Sequence, residues 1–422
     1  MRLHPETRVA EYTAKGWWSG ETFDDLLRAQ VAARPDRTAV VDPPNRDSPE
    51  RLTWAELDER VDRLAVVLFD LGVRKDIVVA VQLPNGVGIA AALLAISRLG
   101  AISTPFPVQY REYELSQLVK LANAAVFVTE PQFRERADGL GLPVLTLEHL
   151  DVPYDGRLDG YLADLEVDGN DCVTICWTSG TEGTPKGVPR CHNDWLAGCV
   201  GGVEAPRLTG DDVLLNPFPM VNMAGFVGMF LPWLRTGAVL VQHQPFDLPV
   251  FLQQIAQERV TYTVAPPALL TLLLQREEIL AQADISSLRV LGSGSAPLPP
   301  AMVRGWQDRH GLNVVNFFGS NEGVALLSDV PDPEERARFF PRPGAEGIEW
   351  PSRLNNWMTV RLVDPATDEV ITEGGHPGEL LIAGPTVFAG YLGPVASPFT
   401  DDGFLRTGDL FEYAGNRLQY LR

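Results

Sequence analysis

Val173-Thr174-Ile175-Cys176-Trp177 runs directly into Thr178-Ser179-Gly180-Thr181-Glu182-Gly183-Thr184-Pro185-Lys186-Gly187. The first five residues, β-branched or apolar, form a buried strand. The next ten have the composition of a phosphate-cradling loop. Glycines let the backbone approach a ligand, successive N–H groups point inward, hydroxyls donate and Lys186 supplies charge. A Walker A loop needs Gly directly before Lys and Ser or Thr after it, and Pro185 and Gly187 hold those places. The plain alternative is a surface turn. Ten consecutive positions of matching chemistry directly behind a strand weigh against it.

Outward from this loop, short β-branched runs alternate with longer segments of helical period. Strands are predicted at Ile77–Val81, Val239–Val241, Val314–Phe317 and Leu380–Ile382. Gly86 to Leu99 reads as a small-residue helix. Thr53-Trp54-Ala55-Glu56 is a capping box, followed by Leu57, Val61, Leu64, Ala65 and Leu68 at helical spacing, with Gly72 as the stop. This alternation predicts an α/β architecture with largely parallel sheets. Pro331 to Pro343, rich in proline and charge, reads as a surface connection. From about 350 the pattern becomes short strands and turns, a β-rich unit.

Composition narrows the function classes. The 422 residues carry 35 Lys+Arg against 55 Asp+Glu, a net charge of −20. A field of that sign repels nucleic acid and anionic membranes, so an anionic ligand must be met by a locally built site. The longest uninterrupted apolar run, Gly86–Ile96, has 11 residues, short of the ~20 that span a bilayer. No apolar leader follows Met1, which predicts a cytoplasmic protein without membrane insertion. Four cysteines in this length form no disulfide framework.

The loop is similar to the signature motif of the acyl-adenylate-forming enzymes: acyl- and aryl-CoA ligases, carrier-protein-loading adenylation enzymes and luciferases. Further segments agree in order. Ser293-Gly294-Ser295-Ala296-Pro297-Leu298 resembles the family's SGGAPL, Phe318-Gly319-Ser320-Asn321-Glu322 its YGxTE, and Arg406-Thr407-Gly408-Asp409 its RTGD. Tyr110-Arg111-Glu112-Tyr113-Glu114-Leu115 resembles a stretch typical of acyl- and aryl-CoA ligases. The resemblance covers essentially the whole chain as the family's large N-terminal domain. It implies two mainly parallel α/β sheet units over 1–345, with the phosphate loop and acyl pocket, and a β-rich unit over 346–422.

The implied activity is attack of a carboxylate on ATP to give acyl-AMP, then transfer to a thiol, coenzyme A or a carrier-protein pantetheine. Catalytic contacts fall on Lys186, Thr178 and Glu322, with Glu322 holding Mg²⁺, since magnesium takes one or two carboxylates plus phosphate oxygens. Nucleotide contacts fall on Thr178, Ser179, Gly180, Thr181, Glu182, Gly183, Thr184, Lys186, Gly294, Ser295, Ala296, Pro297, Asn316, Phe317, Phe318, Gly319, Ser320, Asn321, Glu322 and Asp409. Phe318 stands where the family usually has Tyr and offers its face to adenine. Asn321 replaces Thr and is expected to donate to a phosphate oxygen. Asp409, alone a turn residue, is implied to accept the ribose hydroxyls.

The acid pocket is implied at Met220, Val221, Asn222, Met223, Phe226 and Gly294. Asn222 stands where the family usually has His, and it cannot titrate. No acidic residue lies between Asn216 and Arg235 to pair with a substrate ammonium, so an apolar carboxylic acid (aromatic, alicyclic or fatty) is expected rather than an amino acid. Core helix is the bland alternative for several of these side chains. An acyl carrier protein is a possible partner, and a pseudo-enzyme that binds acyl-AMP without turnover is an alternative of another class. Cys172, Cys176, Cys191 and Cys199 read as buried thiols, His192 carries no catalytic role, and Trp17-Trp18 reads as packing. In the family a mobile C-terminal domain follows RTGD. The chain stops at Arg422, 13 residues after Asp409, so a truncated core with impaired turnover is expected.

Overall fold

In the computed structural model the chain is described at residues 1–147, 153–178, 185–345, 350 and 352–421. The strand-forming runs assemble into three sheets. One has six strands in the order Val144–Thr146, Ala124–Thr129, Val78–Gln82, Ile102–Pro105, Cys172–Thr178 and Lys186–Cys191. Its pairings are parallel except the last, where Cys172–Thr178 and Lys186–Cys191 run antiparallel as a hairpin.

The second sheet has eight strands, Ala325–Ser328, Asn313–Gly319, Val290–Gly294, Tyr262–Val264, Val213–Asn216, Val239–Gln242, Thr38–Val41 and Arg51–Thr53. Its six inner strands are parallel, and both edge strands are antiparallel to their neighbours. The third sheet, Phe339–Pro341, Arg417–Tyr420, Leu405–Ala414, Gly378–Ala383, Thr359–Val363 and Val370–Ile371, is antiparallel throughout. The fold is therefore α/β with parallel sheets and a separate antiparallel sheet.

Local chemistry explains the helices that matter. The helix Trp54–Asp70 begins on the capping box: Thr53 Oγ1 accepts from Glu56 N, and the Glu56 carboxylate accepts from Thr53 N. The helix Val87–Arg98 is apolar all round and buried along its length except at Gly88, as such a composition demands. Its last residue, Arg98, is also buried. Asp24, Asp58 and Asp62 hold it at 2.8, 2.6 and 2.6 Å, tying this helix to Phe23–Ala33 and Trp54–Asp70.

One sequence expectation is corrected. Pro331 to Pro343 is not merely a surface connection: Pro333–Arg338 is helical and Phe339–Pro341 joins the antiparallel sheet. Arg336 is 1% exposed. Its guanidinium donates to the Val330 and Pro331 carbonyls, to Gln307 and to Asn313, so each of its three nitrogens finds an acceptor on leaving water.

Candidate active site

The predicted phosphate loop falls in the sequence between the two strands of the hairpin, Cys172–Thr178 and Lys186–Cys191. Ser179, Gly180, Thr181, Glu182, Gly183 and Thr184 lie outside the described residues. Thr178 and Lys186 face each other at the hairpin's base, and Trp177 pairs with Gly187.

The parallel strands Val290–Gly294 and Asn313–Gly319 end side by side, and α/β sheets place ligands beyond such carboxyl ends. There a cavity of about 590 Å³ opens, lined among others by Ser295, Ala296, Pro297, Phe318, Ser320 and Asp409. Asn316, Phe317 and Gly319 also line it. Gly294 must be glycine, because a Cβ there would strike the Phe317 carbonyl oxygen. The next residue, Ser295, turns the chain away with φ +64. Phe318 is half-buried and packs on Phe340, Phe411 and Tyr420 with ring centroids 5.7, 5.2 and 5.0 Å away.

The two asparagines of the predicted nucleotide site are largely committed to the scaffold. The Asn316 amide donates to the Arg336 and Ala337 carbonyls at 3.1 and 3.2 Å, which fixes one wall of the cavity. Asn321 Oδ1 accepts from Met223 N at 2.8 Å and its Nδ2 donates to Trp177 O at 3.2 Å. Asn321 thus ties the loop after Asn313–Gly319 both to the hairpin and to the acid-pocket segment.

Asp409 is half-buried within the strand Leu405–Ala414, reached through Gly408 at φ +76. Burial, with the charges of Glu322 and Glu379 nearby, pushes its carboxyl up to about 6. Among the described residues no side chain donates to that carboxylate. Folding therefore raises its proton affinity above the unfolded value, so the ionised carboxylate destabilises the folded state above about pH 6. The penalty is relieved as pH falls through that value toward the ordinary carboxylate range. Asp409→Asn is expected to raise the melting temperature of the ligand-free protein at pH 7.5, with the gain shrinking as pH is lowered to 5. An equal gain at both pH values would show that the charge is not the cause.

Glu322 lies beyond the wall of this cavity, two residues past Ser320. Its Oε1 accepts a hydrogen bond from the Tyr391 hydroxyl at 3.0 Å. Burial and the Glu322 charge push the Tyr391 phenol well up, so it remains a donor. The Glu322 peptide is pinned as well, its carbonyl accepting from Phe388 N at 3.0 Å. Glu322 is a half-buried, hard oxygen donor beside a polar cavity, the ligand type that Mg²⁺ takes alongside phosphate oxygens and water.

Several residues that hold this arrangement carried no signal in the sequence. Arg190 is fully buried, donating to Asn321 O at 2.6 Å and Thr386 O at 2.7 Å, with Asp194 3.6 Å from its Nε. Thr386 Oγ1 donates to Gly323 O at 2.6 Å. Trp18, read as packing, is 2% exposed and donates to Pro385 O at 3.0 Å. Tyr391 completes this group, and only the proximity of Arg190 to the loop hinted at any of it.

The acid-pocket segment divides in two. An apolar cavity of about 90 Å³ is lined by Met223, Val227, Gly228, Val264, Gly294 and Leu326 with other apolar neighbours. Met223 and Gly294 are therefore on it. Met220 and Phe226 are not: both are fully buried, Phe226 stacked on Trp195 at 4.8 Å and Met220 beside Gln242. Val221 is also buried away from the cavity. Asn222 caps the short helix that follows, its Oδ1 accepting from Gly225 N at 3.3 Å. The bland reading thus applies to Met220, Val221 and Phe226, which pack into the core and do not line the cavity.

The remaining candidates are structural. All four cysteines are free and buried, and burial pushes the Cys176 and Cys199 thiols up to about 12. Burial lowers His192 to about 4, and its Nδ1 accepts from Phe23 N at 3.1 Å. No helix among the described residues is long and apolar enough to cross a membrane.

Residues 27–392 match the family described as AMP-binding enzyme. Indoleacetate–CoA ligase of Aromatoleum aromaticum is 30% identical over 402 residues, covering 92% of this chain and 75% of that protein. Salicyl-AMP ligase / salicyl-S-ArCP synthetase of Mycobacterium tuberculosis is 30% identical over 432 residues, covering 96% and 73%. The apo structure of Mycobacterium smegmatis MbtA superposes with a TM-score of 0.84 at 27% identity, over 99% of this chain and 79% of that one. The N-terminal domain of FACL13 from Mycobacterium tuberculosis shares the fold at TM-score 0.76 and 24% identity, over 95% and 99%. A hairpin-borne loop, a cavity at the carboxyl ends of parallel strands and this breadth of similarity lead to one conclusion: the chain belongs to the AMP-binding enzymes, the adenylate-forming family.

Proposed function

We propose that the protein activates an apolar carboxylic acid with ATP and passes the acyl group to the thiol of coenzyme A. The observation that carries this reading is the contact between the two cavities. The polar cavity and the apolar one share Ser295, Phe317, Phe318 and Gly319, so an acid seated in the second presents its carboxylate to the first. A carboxylate oxygen attacks the α-phosphorus and pyrophosphate leaves; the thiol sulfur then attacks the acyl carbon and AMP leaves.

In this reading Asp409 accepts the ribose hydroxyls, and Phe318 and Gly294–Pro297 enclose the base. Lys186 and Thr178, with the loop Ser179–Thr184, meet the phosphates. Glu322 would hold Mg²⁺, which when bound offsets charge on the polyphosphate. Asn316 and Asn321 act through the backbone segments they hold. The protein's contribution is positioning and electrostatic stabilisation, with no covalent nucleophile of its own.

The apolar cavity also speaks to the acid. No lining residue is acidic, so an ammonium buried there would cost several kcal/mol. Its 90 Å³ is below the ~150 Å³ of an apolar cavity that holds benzene, which argues against a polycyclic acid. Pyrophosphate release over a panel of aryl, alicyclic, fatty and amino acids tests this, and efficient activation of a free α-amino acid would overturn it. Gly228 sits on the cavity wall, and a Cβ there meets only Val264, at 4.0 Å. Gly228→Leu is expected to raise KM for the preferred acid about tenfold or more while ATP binding stays near wild type.

A carrier-protein pantetheine is the second acceptor reading, favoured by the similarity to the salicyl-S-ArCP synthetase. Thioester formation with coenzyme A and with a pantetheinylated carrier protein, measured side by side, separates the two.

A further inference from the structure

Lys186 and Glu322 bear the opposite charges of the proposed phosphate site, and a single aromatic side chain stands between them. The Tyr391 hydroxyl donates to Glu322 Oε1 at 3.0 Å. The Lys186 ammonium lies 5.0 Å from the centroid of the same ring, within cation–π range. Among the described residues neither Lys186 nor Glu322 forms an ion pair.

The ring is not free to follow either charge. Three residues before it, Phe388 N donates to Glu322 O at 3.0 Å; one residue after it, Leu392 N donates to Gly187 O at 2.8 Å. The Phe388 ring packs edge-on against Tyr391 at 5.0 Å and 70°. The segment from Pro385 to Leu392 is thus fastened at one end to the peptide of Glu322 and at the other to the residue after Lys186. Trp18 and Arg190 fasten its start through the Pro385 and Thr386 carbonyls.

We propose that Tyr391 is a positioning residue for the nucleotide site, holding Glu322 by its hydroxyl and Lys186 on its ring face so that the two charges do not close on each other. Without that spacer the ammonium and carboxylate are free to pair, and each would then be withdrawn from its ligand. The inference rests on the roles given above to Glu322 and Lys186, and it adds a residue that those roles do not include.

The test titrates Mg²⁺ against the whole chain in three forms: wild type, Tyr391→Phe and Tyr391→Ala. ATP binding by calorimetry and pyrophosphate release are both read, with thermal melting to confirm folding. Tyr391→Phe, which keeps the ring and loses the hydroxyl, is expected to raise the Mg²⁺ concentration for half-maximal ATP binding about 10-fold, with kcat at saturating Mg²⁺ near wild type. That is the lower end of the ~10–100-fold seen when a partner of a metal ligand is removed. Tyr391→Ala, which also loses the spacer, is expected to raise it further. An unchanged Mg²⁺ midpoint in Tyr391→Phe, with or without a uniform drop in kcat, would overturn the proposal. Should the alanine variant not fold, the phenylalanine variant decides alone. Glu322→Gln in the same titration keeps the two readings apart. If it leaves the Mg²⁺ dependence intact, the role of Glu322 falls; if it abolishes that dependence while Tyr391→Phe matches wild type, only the role of Tyr391 falls.

Discussion

Glu322→Gln is expected to slow pyrophosphate release on the order of 10²–10³-fold and to remove the Mg²⁺ dependence of ATP binding, while the melting temperature stays near wild type. Gln keeps the shape and the oxygen that accepts from Tyr391, so the hydrogen bond at 3.0 Å survives. The Glu322 backbone contact with Phe388 is untouched by the change. Only the negative charge is lost, and that charge is what a divalent cation needs from the protein. A variant that turned over at the wild-type rate would remove Glu322 from the site.

Arg190→Met should have the largest effect on stability, a loss of about 3–5 kcal/mol, read as a lower denaturation midpoint. Arg190 is fully buried over the Trp195 ring, at 4.5 Å from its centroid, and three groups depend on its guanidinium. The Asn321 and Thr386 carbonyls lose their donors, and the buried Asp194 loses its nearest full cation, keeping His4 at 2.8 Å and the Cys191 N–H at 3.3 Å. Methionine fills the volume but supplies no N–H, so the cost is that of leaving acceptors and a charge unpaired inside the protein. Because Asn321 immediately precedes Glu322, ATP affinity should fall with stability. A midpoint within experimental error of wild type would show that the guanidinium is dispensable.

The parts of this protein that were legible in its sequence are those carried by contiguous strings. The strand Cys172–Thr178 and its loop, the capping box at Thr53 and the glycine at 294 each state their geometry within a few residues. The convergence of Ser295–Pro297, Phe318–Ser320 and Asp409 on one cavity follows from motifs of that kind once the family is recognised. What stayed hidden depends on partners far along the chain. Tyr391 bonds a carboxylate 69 positions away and Arg190 a carbonyl 196 positions away, and no local pattern encodes either. Asn321 looked available to a phosphate, because a string does not reveal that Trp177 O and Met223 N already engage its amide. Met220 and Phe226 lie off the apolar cavity. A run of apolar residues does not say which of them faces a cavity and which packs into the core.

The parallel pairing of Thr38–Val41 with Val239–Gln242 bears on how the chain is made. Val40 is opposite Leu240, its partner 200 residues later. At ~5–20 residues per second a ribosome needs about 10–40 s to deliver that partner. Throughout that interval the apolar run Ala39-Val40-Val41, fully or almost fully buried in the finished protein, has the short antiparallel strand Arg51–Thr53 and the helix Trp54–Asp70 beside it but lacks its parallel partner strand. Nascent chains that end before Gln242 should therefore be the ones that chaperones retain and proteases clear. Synonymous codon changes that slow translation between 100 and 240 should lower soluble yield without altering the folded product.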